Sequence, residues 1–347
     1  MRLAVECCAP VPSAARVEAA AATVDWADFL GIVDRHRIAG LCERALNGSA
    51  PDQSVAALAE RARNDVAANL RGVAVAADIE HRLDTAGIER LYVKGLTLSA
   101  LAYGDPFLKA SADIDLLVAP DAIANVAAIL GEMGFALVEP AGLPMARLGW
   151  WHHRNKESAW WRARDGLMLD LHTRLADSPA VLAGALDRPV QSVALSPSLS
   201  LPTLETPSLL AYLAVHGASS CWFRLKWIAD FASLATRAGP TVLAEAVVIA
   251  ESAGGESAMR QALLLGDSLF GGFLARDRRA ALLESRLNRH LLSLAGAALA
   301  ADEPTSRRLG TLRIHWNQLL MRPGAPAMAL EAQRQLRTAW TNRRLRP

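Results

Sequence analysis

Asp113 and Asp115 flank Ile114 at the start of an apolar run, residues 114–118. Side chains alternate along a strand, so the two carboxylates share one face while Ile114 turns to the other. Carboxyl groups placed that way are close enough to bridge one or two divalent cations. Oxygen donors that face a phosphate chain suit magnesium, which takes such ligands and keeps several waters. Asp170 and His172 repeat the spacing in the apolar stretch 168–172. A third carboxylate beside the first two would complete a two-metal site, able to hold a phosphoryl group and activate an attacking hydroxyl. Lys94 and Gly95 stand between an apolar run and a helical pattern. Glycine allows close backbone approach there, a helix N-terminus favours anions, and the lysine can meet a triphosphate. Read singly, each piece has a plainer account: solvated acids at a strand edge, a hydrogen-bonded structural histidine, a surface lysine at a turn.

The elements that must position these residues show as changes of period. Residues 13–86 read as helix, with apolar side chains recurring at Trp26, Phe29, Leu30 and Val33, then at Val55, Leu58, Ala62, Val66 and Leu70. Asn47-Gly48-Ser49-Ala50-Pro51 breaks that stretch into two blocks. Between 87 and 175 the pattern mixes strands at 88–93, 114–118 and 135–138 with helices at 96–103 and 121–133. A hairpin follows, joining 158–163 to 167–175 through Arg164-Asp165-Gly166. An Asp-Gly pair between apolar runs is a good hairpin signal, and this hairpin can set the Asp170 strand beside the Asp113 strand. Beyond 178 the pattern is helical, at 208–218, 223–237, 241–253, 257–270, 278–299 and 327–342. Trp150, Trp151, His152, His153, Trp160 and Trp161 cluster around the first hairpin strand, suited to stacking a base or acceptor or to filling a sheet face. The reading is an α+β (α/β) fold: a small mixed-sheet core at 87–177, an N-terminal helical region at 1–86, and a mainly helical C-terminal domain at 178–347.

Composition narrows the function classes. The chain carries 37 basic and 35 acidic side chains, a formal charge of +2, which argues against a protein that coats DNA. Half of it is hydrophobic, so it is not a disordered tail. No run reaches the ~20 apolar residues needed to span a bilayer; the longest, 290–300, reads as a buried helix. Residues 1–12 lack the charged-then-apolar order of a secretory signal. Cys7, Cys8, Cys42 and Cys221 show no metal spacing, and reduced thiols in a cytoplasmic protein are expected. Residues 301–347 hold nine arginines against Asp302, Glu303 and Glu331, which suits a solvated basic helix or contact with an anionic partner. Only four cations in the whole chain are lysine: Lys94, Lys109, Lys156 and Lys226. Where arginine is the default, a retained lysine can mark a need for a compact point charge.

Three stretches in this order carry a resemblance. Leu91-Tyr92-Val93-Lys94-Gly95-Leu96 comes first, then Ala102-Tyr103-Gly104-Asp105-Pro106, then Lys109 followed by Asp113-Ile114-Asp115-Leu116-Leu117-Val118. Together they are similar to the bacterial uncharacterised nucleotidyltransferase family, within the DNA-polymerase-β-like nucleotidyltransferase superfamily. Asp170-Leu171-His172 resembles that family's later Asp-Leu-His, and His216 with Arg224-Leu225-Lys226-Trp227-Ile228-Ala229-Asp230 resembles its C-terminal helix motif. The resemblance covers about residues 85–235. The chain departs from the superfamily in having Lys94-Gly95 where a Gly-Ser turn is usual, and lysine at 109 where the family commonly has arginine.

The resemblance implies an enzyme that transfers a nucleoside monophosphate from a nucleoside triphosphate to an acceptor hydroxyl. Asp113, Asp115 and Asp170 become the catalytic and metal-binding carboxylates, and Lys94, Gly95, Lys109, Lys226 and His172 the nucleotide-binding set. Magnesium is the expected cation, with manganese second, and ATP the expected nucleotide. The acceptor is open; a small molecule, peptide or protein is favoured over a long RNA, with no membrane partner. Lys226 and Asp230 are also spaced as an i,i+4 ion pair, which competes with a role for Lys226 at the triphosphate. His216 and Trp222 are candidates for the same cleft. The rival reading from another class is a non-catalytic nucleotide-binding or protein-interaction module that kept the fold.

Overall fold

The computed structural model describes residues 1–46, 50–111, 113–305 and 310–345, with side chains described as far as residue 341. Asn47, Gly48 and Ser49, in the expected break, lie outside the described residues. Five helices precede the sheet: α1 (Arg2–Cys7), α2 (Ala14–Ala21), α3 (Trp26–His36), α4 (Ala39–Leu46) and α5 (Asp52–Thr85). The Asp25 carboxylate starts α3 by accepting from the Asp28 amide, and Phe29, Val33 and His36 line its buried face at helical spacing. Gly40 lets α4 lie directly on the loop before the Asp113 strand, because a Cβ there would stand 2.0 Å from the Leu108 carbonyl oxygen. The buried stripe of α5 differs from the expected one. Val66 and Leu70 are exposed, whereas Leu58, Asn69, Gly72, Ala76, Ile79 and Leu83 face inward. A polar residue takes the inward place because Asn69 bonds to backbone groups of the 107–111 loop.

The core follows as β1 (Arg90–Tyr92), α6 (Leu96–Tyr103), β2 (Asp113–Val118), α7 (Ile123–Glu132), β3 (Ala136–Glu139), α8 (Leu148–Arg154), β4 (Glu157–Arg162) and β5 (Leu167–His172). The strand order is β1-β2-β5-β4-β3, with β2 and β5 parallel and the other neighbours antiparallel. Alternation decides the two faces. Ile114, Leu116 and Val118 of β2 and Leu167, Leu169 and Leu171 of β5 pack in one cluster with Ile79 and Leu83 of α5 and Val126 and Leu130 of α7. The opposite set, Asp113, Asp115, Asp170 and His172, therefore shares the other face. Trp150 to His153 lie in the short helix α8 rather than in a strand.

Residues 178–205 are not helical. They form a second sheet, β6 (Val190–Ser196) paired antiparallel with β7 (Leu199–Leu204). The error is physical: only Val193 and Leu195 on β6 are buried, so no long apolar run marks the strand, and Pro202 interrupts its partner. Val193, Leu195 and Leu201 extend the apolar cluster under the main sheet. The helices then run α9 (Thr206–Ser219), α10 (Leu225–Ala238), α11 (Pro240–Ser252), α12 (Glu256–Phe270), α13 (Arg276–Glu284), α14 (Arg286–Ala300), α15 (Leu312–Leu320) and α16 (Gly324–Leu345). The single helix expected at 278–299 is split at Ser285, whose hydroxyl caps α14 by accepting from the Asn288 amide. Among the described residues, no helix is long and apolar enough to cross a membrane.

The helices before and after the sheet share one apolar cluster: Phe29 and Val33 of α3 and Leu41 of α4 join Leu210, Phe231 and Leu234 of α9 and α10. A polar contact joins the same elements. The buried His36 Nδ1 accepts from the Leu225 amide at 3.0 Å, tying the end of α3 to the start of α10. Burial, reinforced by the nearby Arg35 and Arg224 charges, lowers the His36 pKa to about 4 from its ordinary 6.5. The unfolded chain therefore binds a proton that the folded one refuses between those values, so stability is present above pH 6.5 and falls as the pH drops toward 4. Urea unfolding at pH 7 and pH 5 is expected to show a smaller loss in His36→Gln than in the parent, by up to ~1.4 kcal/mol per pH unit. Equal losses in the two proteins would show that His36 does not set this slope.

Candidate functional site

The parallel pairing of β2 with β5 sets Asp115 opposite Asp170 in register. Ligand atoms of Asp115, Asp170 and His172 all lie within 4.8 Å of one another, a spacing that can hold a metal ion. Lys94 Nζ lies 2.7 Å from Asp115 Oδ1, and His172 Nε2 lies 3.1 Å from the same oxygen. The other ring nitrogen, Nδ1, is 3.2 Å from Glu157 Oε2, which Lys156 Nζ also meets at 2.8 Å. Glu157 reaches this position because it pairs across β4 and β5 with His172.

Crowding decides the electrostatics. Burial alone would raise Asp115, but Lys94 and His172 outweigh it and hold its carboxyl well below the usual range. Glu157 is likewise drawn down to about 2 against its burial, by Lys156 and His172. Asp170 has no such partner among the described residues. Burial and the charges of Asp115, Asp113 and Glu157 push it up to about 8. A carboxyl held near neutrality by its own kind is a site short of positive charge, and its donors are oxygens with one imidazole nearby. That donor chemistry fits a hard divalent cation.

The turn that carries Lys94 is built around Gly95, whose φ of +66° and ψ of −125° disfavour an L side chain. A Cβ there would also stand 2.6 Å from Ser111 Oγ. Asn69 holds the facing loop: its Nδ2 donates to the Lys109 carbonyl at 2.8 Å, and its Oδ1 accepts from the Ser111 amide at 3.0 Å. Nothing in the local pattern of α5 marked Asn69, since a lone polar residue in a helix ordinarily faces solvent.

A cavity of about 450 Å³ opens over this face of the sheet, and all four lysines line it, together with Gly95, Asp113, Asp115 and Asp170. Lys156, to which the motifs assign nothing, is thus part of the site, and its rarity was the signal available. Lys109 Nζ is buried at 2.7 Å from Asp230 Oδ2, and the Tyr103 hydroxyl donates to Asp230 Oδ1 at 2.8 Å. The i,i+4 pair of Lys226 with Asp230 therefore does not form: Lys109 and Tyr103 take that carboxylate. Burial and the neighbouring Lys109 charge lower Lys226 to about 8. His216 lines the cavity; Trp222 does not. The Trp222 ring is fully buried, packed on Gly217 of α9 with its Nε1 donating to Gln261.

The aromatic cluster at 150–161 stands apart, and none of its six side chains lines the cavity. His152 Nε2 pairs with Ser158 Oγ at 2.9 Å, and burial keeps it neutral down to about 4. Trp151 Nε1 donates to the Glu157 carbonyl, and Trp150 stacks on Arg147 and Arg154. Trp160 is buried and Trp161 exposed, one ring on each side of β4.

Compared with known proteins, the chain matches the model of a family described as uncharacterised nucleotidyltransferase over residues 22–271. No curated protein sequence matches it.

If the cluster takes a divalent cation, magnesium as the probe is expected to raise the melting temperature of the protein at pH 7.5, because a ligand that binds only the folded state at a hundred times its Kd adds ~2.7 kcal/mol. Asp170→Asn removes one donor and the crowding together, so that variant should melt no lower without magnesium and respond much less to it. Equal magnesium shifts in the two proteins would place the cation elsewhere.

Proposed function

The chain belongs to the uncharacterised nucleotidyltransferase family, and on that premise we propose that it moves a nucleoside monophosphate from a nucleoside triphosphate to an acceptor hydroxyl, with release of pyrophosphate. The observation that carries this reading is the β2–β5 register, which joins Asp115 and Asp170 on the cavity wall to the buried His172 behind them in one cluster. Asp113, two residues before Asp115 on the same face, lines that cavity too.

Asp113, Asp115 and Asp170 would hold the divalent cation, magnesium first and manganese second. When bound, it neutralises phosphate charge and eases ionisation of the acceptor hydroxyl. Lys94 and His172 fix Asp115 through the same oxygen. Lys94, the Gly95 turn and Lys226 balance the charge of the triphosphate, for which ATP is the first candidate. Lys109 acts from behind, holding α10 and hence Lys226 through Asp230. Asp170 takes the proton of the acceptor hydroxyl. That oxygen attacks the α-phosphorus in line, and the bond to the β-phosphate oxygen breaks. Positioning and fixed charge supply the rate. A cavity of about 450 Å³ is the size of a single small-ligand pocket, which supports a small acceptor or one protruding group of a peptide or protein over a long RNA.

Asp170→Asn is the cleanest variant, because Asp170 forms no ion pair among the described residues. It is expected to fold normally and to release pyrophosphate from any accepted nucleotide at least ~1,000-fold more slowly. Asp115→Ala should also be inactive, but it strips a partner from the half-buried Lys94 and so also costs stability. Lys94→Arg should lower turnover by ~10-fold or more, since a planar fork does not replace a point charge between β1 and β2. Undiminished turnover in Asp170→Asn contradicts the reading. Tight nucleotide binding by the parent with no pyrophosphate released across four nucleotides would favour a binding module instead.

A further inference from the structure

Most charges around the cavity are already matched within the protein. Lys94 is held by Asp115, Lys109 by Asp230 and Lys156 by Glu157, at 2.7, 2.7 and 2.8 Å. Arg224 is held by Glu303 at 2.6 Å. Once these pairs are set aside, three carboxylates lining the cavity remain unmatched among the described residues, Asp113, Asp170 and Asp177, and so do two cations, Arg37 and Lys226. Both cations line the cavity, and among the described residues neither side chain forms an ion pair or hydrogen bond. Both feel the charge of Asp113, and Asp65 of α5 feels the charge of both. What is left over is complementary to a cation and a polyphosphate side by side.

Arg37 belongs to no motif, and its backbone is unusual. It follows α3 in the left-handed region, φ 55° and ψ 53°, at a position that glycine ordinarily fills. Arginine is strained there, and strain of this kind collects at ligand sites. The surroundings enforce it: the Arg37 amide donates to Asp34 O at 3.3 Å, the Ile38 amide to Val33 O at 3.2 Å, and the adjacent His36 is tied to Leu225 at the start of α10. Lys226 is the next residue along. His36 takes the Leu225 amide, and the side chains of Arg37 and Lys226 are the unpaired cations offered to an anion here.

We propose that Arg37 and Lys226 together grip the β- and γ-phosphates of the nucleotide, so that Arg37, from the N-terminal helices, holds the pyrophosphate as it leaves. This rests on the nucleotidyl-transfer reading. As the acceptor oxygen bonds to the α-phosphorus, the α–β bridging bond breaks and its electron pair departs on pyrophosphate. Arg37 and Lys226 balance the charge that develops there.

The test is calorimetry of the full chain with inorganic pyrophosphate and magnesium as the probe, alongside NTP kinetics. Arg37→Gly relieves the backbone strain, so it should melt no lower than the parent while binding pyrophosphate at least about tenfold more weakly, the loss of about 1.4 kcal/mol. It should also raise KM for the nucleotide, and Arg37→Lys should recover part of both losses. A parent that does not bind pyrophosphate, or an Arg37→Gly variant that binds it equally well, overturns the proposal. So does a variant that loses affinity only in proportion to lost folding, with no recovery in Arg37→Lys. The two readings fail separately. Pyrophosphate binding through Arg37 with no nucleotide transfer would remove the reaction and keep the anion site. Transfer with unchanged pyrophosphate affinity in Arg37→Gly would do the reverse.

Discussion

Parallel pairing of two short strands is the constraint on which the rest of the site depends. With β2 beside β5 in this register, Asp115 must face Asp170, and a slip of one residue by either strand would turn that strand's carboxylate into the apolar layer under α5 and α7. The pairing is costly as well as specific, since it brings like charges together on a half-buried face. Lys94, His172, Lys156 and Glu157 are arranged around that cost, and their contacts relieve Asp115 while leaving Asp170 high. A surface made that way is compatible with a divalent cation.

Elements outside the sheet hold the rest. Asn69 of α5 clamps the loop that leads into β2, and Lys109 from the same loop is bolted to α10 through Asp230. His36 brings the end of α3 to the start of α10. The cavity is thereby enclosed by the sheet on one side and by helices from both ends of the chain on the other, including Ile314 and Gln318 of α15, which lie beyond the matched family region. The basic C-terminal segment is partly matched internally: Glu303 meets Arg35 and Arg224, and Glu331 meets Arg322 and Arg334.

Much of the core could be read from residue order because alternation along a buried strand is a local signal. Asp113-Ile114-Asp115, the Asp-Gly hairpin and the break at Gly104 each declare themselves within a few residues. The β6–β7 hairpin did not, since half its residues are solvated and its few apolar positions gain meaning only under the main sheet. The face of α5 was misread for a related reason: Asn69 is buried for the backbone groups it satisfies, and those lie some 40 positions away. Arg37 was invisible because a left-handed turn is announced by glycine, and here arginine occupies it. The scarcity of lysine adds a position that the motifs do not. All four lysines line the cavity, and one of them, Lys156, belongs to no motif.

Nucleotidyl transfer differs from phosphoryl transfer in which phosphorus–oxygen bond breaks. Incubating the protein with magnesium, a cell extract as the source of acceptors, and each nucleoside triphosphate labelled in turn at the α- or the γ-phosphate tests it directly. The account predicts that α-label appears in a new product while γ-label leaves as pyrophosphate, and that both vanish with Asp170→Asn. Label from the γ-position on the acceptor would make the protein a phosphotransferase and contradict the account.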